Sequence, residues 1–256
     1  MGSLKITFLG TGTSQGVPVI GCTCEVCLSS DPKDNRTRSS IMVEDGKTRF
    51  VIDTGPDFRQ QCLREKVVKL DAVLFTHEHK DHIAGLDDVR AFNFIHKMVM
   101  PIYATRNVFK ALKREYAYIF SDEKYPGIPE IRLEEIDKEM FKIGTIEVVP
   151  VDVMHYRMPV KAFRVNDFAY ITDANLIEDS ELQKLQNLDV LVLNALRRES
   201  HISHFTLSEA IELSNRLKPK KTYLIHMSHQ IGKHSDVSAE LPENFELAFD
   251  GLQLVI

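Results

Sequence analysis

Thr76-His77-Glu78-His79-Lys80-Asp81-His82 follows directly on Asp71-Ala72-Val73-Leu74-Phe75. The apolar run has the length and residue types of a buried strand. Open sheets carry their sites just past strand ends, and here three imidazoles and the Asp81 carboxylate fall within six residues of such an end. His77 and His79, two apart, aim the same way. Asp81 and His82 aim at a neighbouring point. Imidazole nitrogen with carboxylate oxygen suits Zn²⁺, Mn²⁺ or Fe²⁺, so the stretch reads as the core of a metal site.

A second cluster lies upstream. Cys22, Cys24 and Cys27 occupy six residues of Gly10-Thr-Gly-Thr-Ser-Gln-Gly-Val-Pro-Val-Ile-Gly-Cys-Thr-Cys-Glu-Val-Cys27. They are too close for an ordinary disulfide framework, and in a reducing compartment such thiols bind metal. Three thiolates need a fourth ligand to close a tetrahedron. His229, His234 and Cys62 are the available donors. His229 stands three residues after His226, and both follow the strand-like Lys221-Thr-Tyr-Leu-Ile225. On an extended chain those imidazoles are about 10 Å apart, so as ligands each would need its own ion.

The bulk numbers set outer limits. The chain has 256 residues, 43% hydrophobic and 27% charged, with a formal charge of −5. That is an ordinary globular composition. No global positive field favours nucleic acid. No run approaches the ~20 apolar residues of a membrane helix, and the first ten residues lack a secretory h-region. The expectation is a cytoplasmic protein with no membrane partner.

Further strands are read at 5–10, 40–45, 48–53, 146–153, 162–166, 168–172 and 189–194, with Asp45-Gly46 as a hairpin turn. Helices are read at 57–66, 87–96, 106–120, 177–186 and 206–216, the last opened by a Thr206/Glu209 capping box. The 247–256 segment reads as closing strand. The result is two strand-rich halves with peripheral helices. The 87–94 face is as suited to a second copy of the chain as to the core, so a homodimer is an expected assembly.

The His-x-His-x-Asp-His pattern resembles the signature of the metallo-β-lactamase-fold hydrolases. The resemblance implies an α/β, four-layer αββα sandwich of two mixed β-sheets flanked by helices, one domain over 1–256. It further implies a dinuclear centre. His77, His79 and His155 would hold one ion, Asp81, His82 and His226 the other, and Asp173 would bridge them. The thiol cluster followed by Arg36-Thr-Arg-Ser-Ser40 is similar to one branch, the phosphoribosyl 1,2-cyclic phosphate phosphodiesterases. There three thiolates and a histidine just beyond the last catalytic ligand hold a structural zinc, which maps onto Cys22, Cys24, Cys27 and His229. A catalytic histidine 22 residues before the last ligand maps onto His204, and Asp81 takes a second role in orienting water. His201 has no counterpart. The implied cofactors are two divalent ions, Zn²⁺ or Mn²⁺, plus one structural Zn²⁺. The implied substrate is a small phosphodiester. A tRNA 3′-processing endoribonuclease and a thioester or lactone hydrolase are the alternatives on the same fold.

Overall fold

Successive side chains of a strand point to opposite faces, and in this chain both faces of most strands are apolar. The computed structural model describes residues 3–123 and 125–256. Its first half runs β1 (Lys5–Gly10), β2 (Ser40–Glu44), β3 (Arg49–Ile52), α1 (Phe58–Arg64), β4 (Ala72–Leu74), α2 (Lys80–Ile83), α3 (Arg90–His96), β5 (Met100–Ala104), α4 (Arg106–Glu115) and β6 (Ile131–Glu135). The second runs β7 (Phe141–Ile143), β8 (Ile146–His155), β9 (Met158–Val165), β10 (Phe168–Ile171), α5 (Asp179–Leu182), β11 (Val190–Asn194), α6 (Leu207–Leu217), β12 (Lys221–Ile225), α7 (His234–Glu240) and β13 (Phe245–Leu247). The last strand, β14 (Gln253–Val255), returns to the first sheet.

Two seven-stranded sheets result, ordered β14-β1-β2-β3-β4-β5-β6 and β13-β12-β11-β10-β9-β8-β7. Each begins as an antiparallel meander and ends in parallel strands joined through helices. Ile6, Phe8, Phe50 and Ile52 of one sheet pack on Phe163, Phe168, Val190 and Val192 of the other. The alternate residues Met42, Val51 and Val73 face outward under Phe58 and Leu86. On the far side Leu191, Leu193 and Leu224 lie under Leu182, Leu207 and Leu217. Three apolar layers therefore separate four structural layers, the expected αββα sandwich.

Several of the elements read from sequence depart from the expectation. The 106–120 helix stops at Glu115, because Tyr116 leaves it (φ −120°) to place its hydroxyl on Ile83 O at 2.7 Å. The 177–186 helix is α-helical only over Asp179–Leu182, then tightens to a 3₁₀ turn that delivers Leu185 to the core. The 162–166 strand begins at Met158. The closing strand is two strands in two sheets, broken at Asp250-Gly251. Asp250 accepts from Thr11 N (3.0 Å) and Thr37 N (2.9 Å), and Gly251 takes φ +91°. The 87–96 helix begins with a 3₁₀ turn; its Phe92 is buried while Phe94 and Ile95 face outward.

Arg36 fastens the N-terminal loops to the C-terminal ones. Its side chain is fully buried and donates to Ser228 O (3.1 Å), Gly232 O (3.2 Å) and Asp34 Oδ1 (3.0 Å). Burial pulls the guanidinium below its ordinary pKa and the Asp34 charge pushes back. Removing Asp34 leaves that cation without its partner, so Asp34→Ala is expected to destabilise the fold by about 3–5 kcal/mol. Urea unfolding checks this, and an unshifted midpoint would show the Arg36 charge to be balanced elsewhere.

Candidate metal centre

The strand ends that share one rim of the sandwich finish in unusual backbone. Asp53 after β3, Asp173 after β10 and His226 after β12 have φ of 64°, 53° and 56°. Such left-handed turns are uncommon for residues other than glycine and gather at functional sites. Here they swing three side chains off the strand axes towards one point. His77, His79, Asp81 and His82 arrive from the loop after β4 and the short α2, His155 closes β8, and His204 precedes the capped α6.

Asp173 lies at the middle of this assembly. Its Oδ1 is 3.3 Å from His82 Nε2 and 3.1 Å from His226 Nδ1, and its Oδ2 is 3.8 Å from His77 Nε2. Asp81 Oδ2 is 3.2 Å from His82 Nε2. Three groups of donors converge, each with ligand atoms within 4.8 Å of one another: Asp81, His82, Asp173 and His226; His77, His79 and Asp173; and His155, Asp173 and His204. The His155 ring centroid is 5.1 Å from that of His79 and 5.8 Å from that of His77. All seven residues read as ligands are therefore at one place, with His204 beside them, 4.5 Å from His155 and 4.9 Å from His226 between ring centroids. His201 sits next, 5.1 Å from His204.

The donor set fits a cation. His77 Nε2 and His82 Nε2 are buried without a hydrogen-bond partner, a costly condition unless something else satisfies them. Atoms about 2.1 Å from one ion lie about 3.0–3.4 Å apart in octahedral or tetrahedral geometry, the spacing seen around Asp173 Oδ1. The electrostatics agree. Burial alone would lower His82, yet Asp173, Asp81 and Asp53 outweigh it and hold the imidazole well above its ordinary pKa. Burial would raise Asp173, but His226, His82 and His77 hold it well below the usual carboxylate range. The centre draws positive charge inward. His204 behaves oppositely: burial, with His226 adding, pushes it down to about 3 and leaves a neutral ring.

Asp53, which the reading from sequence missed, orients this centre. Its carboxylate is fully buried, accepts from Thr76 N (2.9 Å) and Thr76 Oγ1 (2.8 Å), and lies 2.7 Å from His82 Nδ1. Accepting an Nδ1–H there frees Nε2 as the ligand atom. The available signal was an acidic residue closing the apolar strand Arg49-Phe-Val-Ile52 before Thr54-Gly55. Thr13 Oγ1 lies 3.2 Å from His226 Nε2 and Ser39 Oγ 3.2 Å from its Nδ1, bracing that ring from both sides, and Ser203 O lies 2.8 Å from His155 Nδ1.

The second cluster is equally clear. His229 Nδ1 is 3.4, 3.3 and 3.5 Å from the Sγ atoms of Cys22, Cys24 and Cys27. Sulfur and nitrogen on one tetrahedral zinc are about 3.5 Å apart, so the four donors fit a closed Cys₃His site. Cys62 instead lies in α1 against the outer core, and His234 packs on Phe249 at 6.0 Å. Hydrogen bonds from Cys27 N–H and His229 lower Cys24 to about 6, whereas burial raises Cys27 to about 11. Arg197 donates to Glu199 O (3.2 Å) and Ser200 O (2.7 Å), and Arg198 to Ile231 O (3.1 Å). Both are braces for loops.

Comparison with known proteins adds the following. A family model described as a beta-lactamase superfamily domain matches residues 48–227. A solved structure described as a new diphosphatase from the PhnP family is 39% identical, with a TM-score of 0.93, covering 99% of this chain and 97% of that one. An octanoyltransferase of Porphyromonas gingivalis is 38% identical over 99% of this chain but 52% of its own length. The chain spans about half the length of the curated relatives it first matches. The Zn²⁺-bound PqqB of Methylobacterium extorquens shares the fold at 18% identity and a TM-score of 0.77, covering 98% of this chain and 99% of that one.

Two outcomes test these assignments. Asp53→Asn places an amide against His82 Nδ1 and selects the wrong tautomer, so metal affinity at the histidine centre should fall about 10–100-fold in a calorimetric titration. In chelator-stripped protein at pH 7, iodoacetamide should label Cys24 well ahead of Cys62, whose thiol burial pushes up to about 12. The Cys24 rate should decline only as pH drops below about 6, and bound zinc should abolish it.

Proposed function

The chain belongs to the beta-lactamase superfamily and, within it, to the PhnP family, and on that premise we propose that this metal-dependent hydrolase cleaves a small phosphodiester at a dinuclear centre. The observation that carries the proposal is the sharing of one carboxylate. Asp173 belongs to all three donor groups, with Asp81, His82 and His226 on one side and with His77 and His79 on the other, while His155 and His204 form the third and the His155 ring lies 5.1 Å from that of His79. One acid between two sets of imidazoles is what two adjacent ions require.

Divalent ions bound there would polarise a phosphoryl oxygen and acidify water. The chain's own groups do the rest. Asp81, 3.2 Å from His82 and held well below the usual carboxylate range, stays an acceptor that orients the attacking water. His204, neutral and adjacent to both His155 and His226, donates one hydrogen bond to a phosphoryl oxygen where negative charge develops. Asp53 and Thr76 keep the His82 ring from turning. A cavity of about 570 Å³ opens beside His79 and His155, the size of a small-molecule site.

The name of the PhnP-family relative favours a second substrate, a diphosphate linkage, which presents the same phosphorus electrophile. Acyl transfer is not carried over from the Porphyromonas protein, because nearly half of that protein lies outside the match. The test is to incubate metal-loaded protein with 5-phosphoribosyl 1,2-cyclic phosphate and, separately, with a diphosphate ester, following phosphorus NMR. Conversion of the cyclic diester to a ribose bisphosphate, absent in Asp173→Ala, supports the first reading. Turnover of the diphosphate alone replaces it with the second. His204→Ala should retain its metals and lose about 10²–10⁴-fold in turnover; undiminished turnover would remove His204 from the mechanism.

A further inference from the structure

The β8–β9 hairpin is closed by a turn that its sequence does not favour. His155 pairs with Met158, leaving Tyr156 and Arg157 as the two turn residues. Tyr156 has φ +57°. Two-residue hairpin turns place glycine, asparagine or aspartate at that position, and a bulky aromatic there is strained. The turn lies directly beside a residue of the metal centre, since His155 is its first member.

Specific contacts hold it in place. The Tyr156 N–H donates to Asn175 Oδ1 at 2.7 Å, and Asn175 Nδ2 donates to Ile202 O at 3.2 Å. One amide thus ties the hairpin turn to the 201–204 loop. Both segments contribute to the cavity at the metal centre, which His79, His155, Tyr156, Arg157, Ile202 and Ser203 line. Arg157 stands over the Tyr156 ring with its guanidinium carbon 5.0 Å from the centroid. Among the described residues no ion pair or hydrogen bond involves that guanidinium, although most arginines of this chain have a carboxylate or carbonyl partner, as at Arg36, Arg49, Arg164 and Arg198.

We propose that Tyr156, Arg157 and Asn175 form a recognition subsite for a second phosphate on the substrate, one that is not cleaved. Arg157 would bind it through its planar fork. The Tyr156 face holds the guanidinium flat without neutralising it. Asn175, two residues beyond Asp173, fixes the turn relative to the reacting centre. The strain at Tyr156 is then the cost of aiming a cation into the mouth of the cavity from a turn only two residues long. The inference deepens the phosphodiester reading and rests on it.

The test compares two esters with the same reacting group and leaving group: thymidine 5′-(p-nitrophenyl phosphate) and the same ester carrying a 3′-phosphate. The metal-loaded enzyme should prefer the phosphorylated ester by about 10–100-fold in kcat/KM, with the difference in KM. Arg157→Ala should erase the preference, Arg157→Lys should keep part of it, and Asn175→Ala should weaken it with Arg157 present, each variant retaining its metal content. Hydrolysis of both esters with no preference, or a preference that survives Arg157→Ala, overturns the subsite and leaves the phosphodiesterase reading standing. Hydrolysis of neither ester overturns both.

Discussion

The buried charge of this molecule balances on the Asp173 carboxylate. It is removed from water among His77, His82 and His226, with Thr172 Oγ1 donating to it at 2.6 Å. A lone carboxylate could not stay ionised there. The imidazoles, and the cations they are arranged to hold, make the ionised form the stable one. Those imidazoles in turn come from both sheets, so the centre exists only when the two halves are packed. The apolar layer between the sheets brings the β4 and β10 ends to the same rim, and the polar cluster sits where that layer stops.

What was legible in the sequence was what is local in it. His77 to His82 and Cys22 to Cys27 each sit within six residues, and their density has no other economical reading. His155, Asp173, His226 and His204 are scattered singly over the second half. Each alone is an ordinary residue of a strand end or loop, and only their order, matched to a family pattern, joined them. Asp53 lacked even that. Its meaning lies in a contact with His82, 29 positions away, and the sequence around it says only that a strand has ended. The weakest reading fell on 97–145. β5 carries Pro101, and β6, Ile-Arg-Leu-Glu-Glu, is a half-exposed edge strand whose charges mask its alternation. The 247–256 run is two strands for another reason: its apolar residues say nothing of which sheet a strand joins, and the Asp250 hydrogen bonds to Thr11 and Thr37 decide that.

The two donor clusters share a short piece of chain. His226 and His229 are joined by Met227 and Ser228, whose backbone is pinned: Met227 N donates to Thr11 O (3.0 Å) and Ser228 N to Leu196 O (2.9 Å). The Cys₃His cluster therefore sets the position of the segment from which His226 departs, and Arg36 reinforces it by gripping Ser228 O. Placing thiolates 202–207 residues from their imidazole partner closes the chain upon itself around both sheets.

The left-handed residues at 53, 173 and 226 bear on how this protein can change. Glycine at any of them would relax the backbone, and at 53 and 173 it would also remove a buried carboxylate that neighbouring imidazoles stabilise. The same replacement would strip the centre of a ligand or of the group that orients one. Backbone preference and site chemistry are thus opposed at these three positions. Selection with no demand on turnover would be free to trade these strained backbones for relaxed ones, and the centre would be lost with them.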